Sequence, residues 1–242
     1  MSQKTAAILI IGDEVLSGRT QDANTSFIAT RLGELGIDLI EARTVRDISE
    51  EIIAAVNELR ARVDYLFTTG GIGPTHDDIT SENIAKAFGV ALELHPEAKR
   101  RLEEYYAPRN IGLNEARLLM AMIPKGAKLI DNPASAAPGF NIGNVYVMAG
   151  VPKIMQAMFE GMAPTLIGSA PMLSRTITCN AREGDIAEGL TDIQNRYPDI
   201  KIGSYPAFMA GPGPSLSLVL RGKDATLLNK AVAEVGKLVG LL

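Results

Sequence analysis

The sequence has little cysteine, little histidine and no long apolar run. Its single cysteine, Cys179, makes an internal disulfide impossible and fits a reducing compartment. Cys179 sits in an apolar, strand-like stretch, which marks it as core rather than as a nucleophile. Two histidines, His76 and His95, cannot build a histidine-rich metal site. The N-terminal apolar stretch Ala6–Ile11 is too short for a membrane span or a secretory signal, so the chain reads as cytoplasmic with no membrane partner. An excess of positive charge is lacking too. The net charge is −4, and the densest basic cluster, Lys99-Arg100-Arg101, reads as a solvated helix face. No footprint for nucleic acid follows from that pattern. Internal repeats, low-complexity tracts and long linkers are also missing.

What is present is an ordinary globular composition, 46% hydrophobic and 21% charged over 242 residues, enough for one large domain or two modest ones. Ala6–Ile11 reads as a first buried strand that ends in a turn at Gly12-Asp13-Glu14. Phe27, Ile28, Leu32 and Leu35 have helical spacing over Thr25–Leu35, with Gly36 as the stop. Ile37–Thr44 is a second strand. Asp47-Ile48-Ser49-Glu50 has capping-box form, ahead of a helix whose apolar face is Ile52, Ile53, Val56 and Leu59. Tyr65–Thr69 is a third strand. This alternation predicts an α/β fold, a mainly parallel sheet sandwiched by helices.

Further along, Pro96 predicts the first turn of a helix through Tyr105, and Leu113–Met122 a further helix. Lys128–Ile130, Gly139–Ile142 and Val145–Met148 read as short strands, the last two a hairpin. Another helix opens at Gly150-Val151-Pro152. Met148, Met155, Met158 and Met162 form a stripe assigned to core or interface rather than to a cofactor. The pattern resets near Gly168-Ser169-Ala170-Pro171. Residues 1–168 are therefore expected to form one domain and residues 172–242 a small α+β module. Its βαββα string is strand Leu173–Cys179, helix Gly184–Tyr197, strands Ile200–Tyr205 and Ser215–Leu220, and helix Asp224–Leu241, with an irregular hairpin connection at Ala210-Gly211-Pro212-Gly213-Pro214.

The most informative segment is Thr68–Thr80. A glycine-rich turn between a parallel strand and a helix start presents backbone N–H groups and the positive helix end to an anion. Gly70, Gly71 and Gly73 allow close approach. The adjacent carboxylates of Asp77 and Asp78 would repel a bare phosphate. A divalent cation, Mg2+ or another hard metal, or else a protonated group is therefore expected between them and a phosphorylated ligand. Structural readings stand beside these: Asp78 as a helix N-cap, Asp77 as a surface carboxylate, Asp47 as the capping-box residue, Asn24 as the cap of the helix at Thr25, and Asn132 and Ser135 as an Asx turn. His76 reads as exposed. Glu14, Asp47 and Asp78 would gather at the carboxyl ends of the first three strands if those strands are neighbours. The backbone N–H groups of Gly139 and Gly150 are further candidate donors.

Four stretches, in order, carry a family resemblance. They are Ile11–Arg19 (Ile-Gly-Asp-Glu-Val-Leu-Ser-Gly-Arg) with Asp22 and Asn24; Thr69–Thr80 (Thr-Gly-Gly-Ile-Gly-Pro-Thr-His-Asp-Asp-Ile-Thr); Asn132–Phe140 (Asn-Pro-Ala-Ser-Ala-Ala-Pro-Gly-Phe); and Ala149-Gly150-Val151-Pro152. Together they resemble the MoaB/MogA-like molybdopterin-binding domain in the form found in the competence/damage-inducible protein A (CinA) family and at the N-terminus of some eukaryotic FAD synthases. The resemblance spans residues 5–168. It implies that Asp78 is catalytic at Mg2+ and phosphate, with Asp77 as a second metal ligand. Asp47, matching an Asp after the second strand, is implied as the other catalytic candidate. The implied ligand set is Gly12, Glu14, Asn24, Thr69, Gly70, Gly71, Gly73, Pro74, Thr75, Asn132, Ser135, Gly139 and Gly150. The tail around Ile202-Gly203-Ser204-Tyr205-Pro206 resembles the small KH-like module that follows this domain. It lacks the Gly-x-x-Gly loop, so RNA binding is not expected. The chain departs from the CinA pattern at Ser135 (usually Gly), Met148-Ala149 (Leu-Pro), Ile154 (acidic) and Met120 (Gln). It also ends before the CinA deamidase domain, so deamidation of nicotinamide mononucleotide is not expected.

These features lead to three expectations. The first is metal-dependent hydrolysis of a pyrophosphate-containing nucleotide such as ADP-ribose or FAD. The second is molybdopterin binding or adenylyl transfer in molybdenum cofactor biosynthesis. The third is binding of a pterin or nucleotide without turnover. By resemblance the chain is expected to form a homo-oligomer.

Overall fold

In the computed structural model, which describes residues 3–207 and 215–241, the first apolar run is strand β1 (Lys4–Ile11). Side chains on a strand alternate between faces. Ala7, Leu9 and Ile11 enter one core while Ala6, Ile8 and Ile10 enter another. A strand buried on both faces belongs to a sheet covered by helices on both sides.

The chain continues through α1 (Asp13–Leu16), α2 (Asn24–Glu34), β2 (Ile37–Val45), α3 (Ser49–Arg62), β3 (Tyr65–Thr69), α4 (Thr80–Phe88), β4 (Leu92–Leu94) and α5 (Pro96–Tyr106). It then forms α6 (Glu115–Leu119), β5 (Met122–Pro124), β6 (Lys128–Ile130), β7 (Gly139–Ile142), β8 (Val145–Met148) and α7 (Pro152–Met162). Six of these strands form one sheet in the order β2-β1-β3-β8-β7-β6. It is parallel from β2 to β8 and antiparallel from β8 to β6. Ile52, Val56 and Leu59 of α3 and Ile84 of α4 pack on one face. Ile28 and Leu32 of α2 and Met155, Met158, Phe159 and Met162 of α7 pack on the other. The methionine stripe is thus core. Phe67 of β3 lies among these residues, its ring centroid 5.6 Å from that of Phe159 and 5.4 Å from that of Tyr146.

Several local expectations need correction. Strands β4 and β5 form an antiparallel pair that the sequence pattern hid. Residues 113–122 are not one helix: α6 is a short segment capped by Asn114, whose side chain accepts from Arg117 N. The chain then turns so that Ile123 can enter the core. The capping box does not form, because α3 has no side-chain cap and Asp47 Oδ2 accepts from Asp13 N at 2.9 Å instead. Asn24 does not cap α2. That role falls to Asp22, whose Oδ1 accepts from the N–H groups of Asn24 and Thr25 at 2.9 and 3.2 Å. Asp78 does not cap α4, which starts at Thr80 without a side-chain cap.

The backbone divides into two compact units, one ending at Ser169 and the next beginning at Ala170. The second contains β9 (Leu173–Cys179), α8 (Glu183–Arg196), β10 (Lys201–Ala207), β11 (Ser215–Gly222) and α9 (Ala225–Leu238). Its antiparallel sheet has the order β10-β11-β9. Leu218, Leu220, Leu228 and Val235 build its own core, which also takes Cys179. The connection expected at Ala210–Pro214 lies outside the described residues. Among the described residues no helix is long and apolar enough to cross a membrane.

Candidate functional site

Because β2, β1 and β3 are neighbours, their carboxyl ends come together, and each is followed by one of the acidic candidates. The three do not meet in one place. A cleft of about 490 Å³ is lined by Glu14, the turn Gly70–Pro74, Asp78, Asn132, Ser135 and Gly150–Pro152. A separate hollow of about 580 Å³ is lined by Asp13, Glu14, Arg19, Asp47, His76 and Asp77. Glu14 borders both. Asp47 and Asp78 therefore line different hollows, with Glu14 common to both. Asp77 shares a hollow with Asp47, not with its chain neighbour Asp78.

The glycine turn is shaped by crowding. Gly70 has φ +103°, and a Cβ there would lie 2.1 Å from Ile11 O, so only glycine serves where β3 passes the end of β1. The two cleft carboxylates lie over bare backbone. A Cβ on Gly73 would come 2.5 Å from Asp78 Oδ2, and one on Gly12 would come 2.5 Å from Glu14 Oε2. Thr75 fixes Asp78 twice, its N–H at 2.9 Å and its hydroxyl at 2.5 Å from Oδ2. Thr75 thus positions a cleft residue without lining the cleft, and Gly12 makes room for one.

Asn132 is buried at the rim. Its amide donates to Ser135 Oγ at 2.7 Å and to Ala137 O at 2.8 Å, and its Oδ1 accepts from the N–H groups of Ala134 and Ser135. It is the Asx-turn residue that builds this loop. Gly139 lies away from the cleft in β7, where a Cβ would meet Val147 O at 2.2 Å. Asn24 and Thr69 line a narrow recess of about 40 Å³ beside the cleft. His76 is exposed. Burial pushes the Asp47 carboxyl above the usual Asp value; the Asp13 N–H opposes this and the nearby carboxylates of Asp13, Glu14 and Asp77 add to it. The remaining wall of the cleft is apolar: Ile72, Met120, Ala137, Ala149, Val151 and Ile154. Thr20, which also lines the cleft, carries no signal in the sequence, because hydroxyl residues in loops are common everywhere.

Residues 7–168 match the family described as "Probable molybdopterin binding domain". The chain belongs to the molybdopterin-binding-domain family. Its residues 171–240 match a second family, "FAD synthase, middle domain". A protein of Aeropyrum pernix is 34% identical over 96% of this chain and 90% of its own length. A CinA-like protein of Citrifermentans bemidjiense is 38% identical over 95% of this chain, which spans 56% of that protein. Among solved structures, a protein described as CinA, of unknown function, from Thermoplasma acidophilum superposes with a TM-score of 0.64. It is 34% identical and covers 68% of this chain and 99% of that one. The molybdopterin-binding unit here is thus of the CinA-like kind. Met120, Ser135, Ala149 and Ile154, where its sequence departs from the CinA pattern, all line the cleft.

Proposed function

We propose that the molybdopterin-binding unit binds a pyrophosphate-containing nucleotide of the ADP-ribose or FAD class and hydrolyses it with a divalent cation. One observation carries this reading. A single cleft joins the Gly70–Gly73 turn ahead of α4, the carboxylates of Glu14 and Asp78, and an apolar wall. Backbone N–H groups in such a turn suit phosphate oxygens, and the wall suits a flat heterocycle.

Two carboxylates beside a phosphate call for a cation. Mg2+ takes one or two carboxylates and completes its shell with phosphate oxygens and water. Glu14 and Asp78 fit that donor set and would hold the ion. Among the described residues no group of three or more His, Cys, Asp or Glu is arranged to hold a metal. Cation uptake is therefore expected to need the nucleotide. A bound cation would neutralise charge on the pyrophosphate. The protein's own part is to hold Asp78 through Thr75, to take up phosphate charge on the glycine turn, and to exclude water along the apolar wall.

A pterin is the second reading, favoured by the family match and by the same apolar wall. Under it the unit binds molybdopterin, with or without adenylyl transfer.

Incubation of the purified protein with ADP-ribose, FAD or NAD and Mg2+, Mn2+ or Co2+ tests the first reading. AMP release is expected from at least one nucleotide, with FMN as the other product from FAD, and it should stop without cation and in Asp78→Asn. No AMP from any of them would sink hydrolysis. The match of the second unit to a FAD synthase domain is the reason to include FAD.

A further inference from the structure

At the β6 edge of the large sheet lies a further hollow of about 410 Å³. The cross-strand register builds it. Lys128, Asn141 and Tyr146 stand opposite one another on β6, β7 and β8, and the row continues through Phe67 of β3 to Ile8 of β1. Residues in such a row share one face of the sheet. Ile8 and Phe67 are fully buried in the core under α2 and α7. The same row turns polar at its far end, where the hollow opens. Tyr146 is half-buried, its ring packed against Tyr65 and Phe67. Its hydroxyl makes no hydrogen bond among the described residues and is open to solvent. Burial, then the nearby Tyr65, pushes the phenol above its ordinary value, so it stays a donor at neutral pH. The Lys128 ammonium is exposed, with no ion pair or hydrogen bond among the described residues. Ile130 and Met162, both buried, supply apolar lining. Asp131 also lines the hollow, but its carboxylate is held by Arg101 at 2.5 Å.

We propose that this hollow binds a small monocarboxylate with an aromatic or other apolar body, its carboxylate held by Lys128 and the Tyr146 hydroxyl. An ammonium and a phenol O–H are both donors, and an ionised acceptor strengthens the bond each makes. The apolar body meets Ile130 and Met162, whose thioether suits a ring. A phosphate group fits less well. Among the described residues the hollow offers one free cation beside the Asp131 carboxylate, and its lining has no glycine turn ahead of a helix such as the cleft has. Asn141 donates its amide to Gly143 O and Val145 O at 3.2 and 3.0 Å, which leaves its Oδ1 as an acceptor for a hydroxyl or amino group on the ligand. The volume lies within the range of small-molecule sites. No residue lines both this hollow and the cleft, so the site stands or falls apart from the nucleotide reading.

Titration of the isotope-labelled full chain with sodium phenylacetate, followed by backbone amide NMR shifts, tests this. Saturable shifts are expected at Lys128, Asn141 and Tyr146, with a Kd on the order of 1 mM for so small a ligand. Phenethyl alcohol, the neutral counterpart, is expected to bind at least about tenfold more weakly. Lys128→Gln is expected to weaken phenylacetate about tenfold, and Tyr146→Phe about fivefold. Inorganic phosphate at the same concentration is expected not to displace it. No saturable shift at these residues overturns the proposal, whether the hollow stays empty or is covered by a second copy of the chain. Binding that is unchanged in either variant, or equal binding of phenethyl alcohol, overturns it too. Displacement by phosphate would make the hollow a general anion site and overturn the carboxylate assignment. Lys128 is exposed, so Lys128→Gln keeps the test open even if Tyr146→Phe fails to fold.

Discussion

At the scale of single residues, the site separates two carboxylates that the sequence could not tell apart. Asp78 lies in the cleft with the glycine turn, while Asp47 lines the second hollow, which shares Glu14 with the cleft. Asp78→Asn is expected to lower nucleotide affinity in Mg2+ at least tenfold, the scale of one charge-assisted contact. Asp47→Asn is expected to change it by less than about twofold, since Asp47 does not line the cleft. Titration of both variants with ADP-ribose checks this, and equal losses would contradict the placement. The turn itself was legible in the sequence, because glycines before a helix have few other uses. Residues that act at one remove were not. Thr75 as the clamp on Asp78 depends on hydrogen bonds that spacing alone does not specify, whereas Asn132 was legible as the residue of an Asx turn.

At the scale of elements, the buried strands were readable as short contiguous apolar runs and the amphipathic helices by their period. Phe67 in β3 shows what that packing supplies. It is fully buried, with ring neighbours Tyr146 and Phe159. Phe67→Ala is expected to cost about 3–5 kcal/mol in urea unfolding, the usual loss for an aromatic core truncation. A cost near zero would mean that the two helix-covered faces are not packed as described. Strand β5 escaped notice because it begins at Met122, the end of the helix read over Leu113–Met122, and β4, its partner, went with it. The caps escaped because Asp22 takes the role read for Asn24, and Asp47 bonds the distant Asp13 N–H instead of its own helix.

The start of β1 is also tied to the approach to β3. Lys4 Nζ lies 2.6 Å from Asp64 Oδ1, and Thr5 N–H donates to Asp64 Oδ2 at 2.9 Å. The Lys4 ammonium, then the Thr5 N–H, holds the Asp64 carboxyl below the usual Asp value. Its contribution is therefore present above the ordinary Asp range and is lost as pH falls through the lowered value. Asp64→Asn is expected to be less stable than wild type at neutral pH, with the gap closing in acid. Thermal melts from neutral pH down to about pH 3, below the unperturbed Asp value, would show it. A constant gap would contradict the assignment.

At the scale of the whole molecule, all residues lining the cleft lie between Glu14 and Ile154, within the first unit. A chain cut after Ser169 is expected to keep its nucleotide affinity within about twofold, since no cleft contact is removed. A large loss in the cut chain would show that the second unit takes part in binding.

One cleft is proposed to bind a pyrophosphate nucleotide through a cation held at Asp78. Thermal stability of the full chain with ADP-ribose or FAD, with and without Mg2+, tests it most directly. About 2.7 kcal/mol of stabilisation is expected at a hundredfold excess of ligand over Kd. That gain should need Mg2+ and nucleotide together and should vanish in Asp78→Asn. No stabilisation by either nucleotide, or a gain that survives in Asp78→Asn, would contradict it.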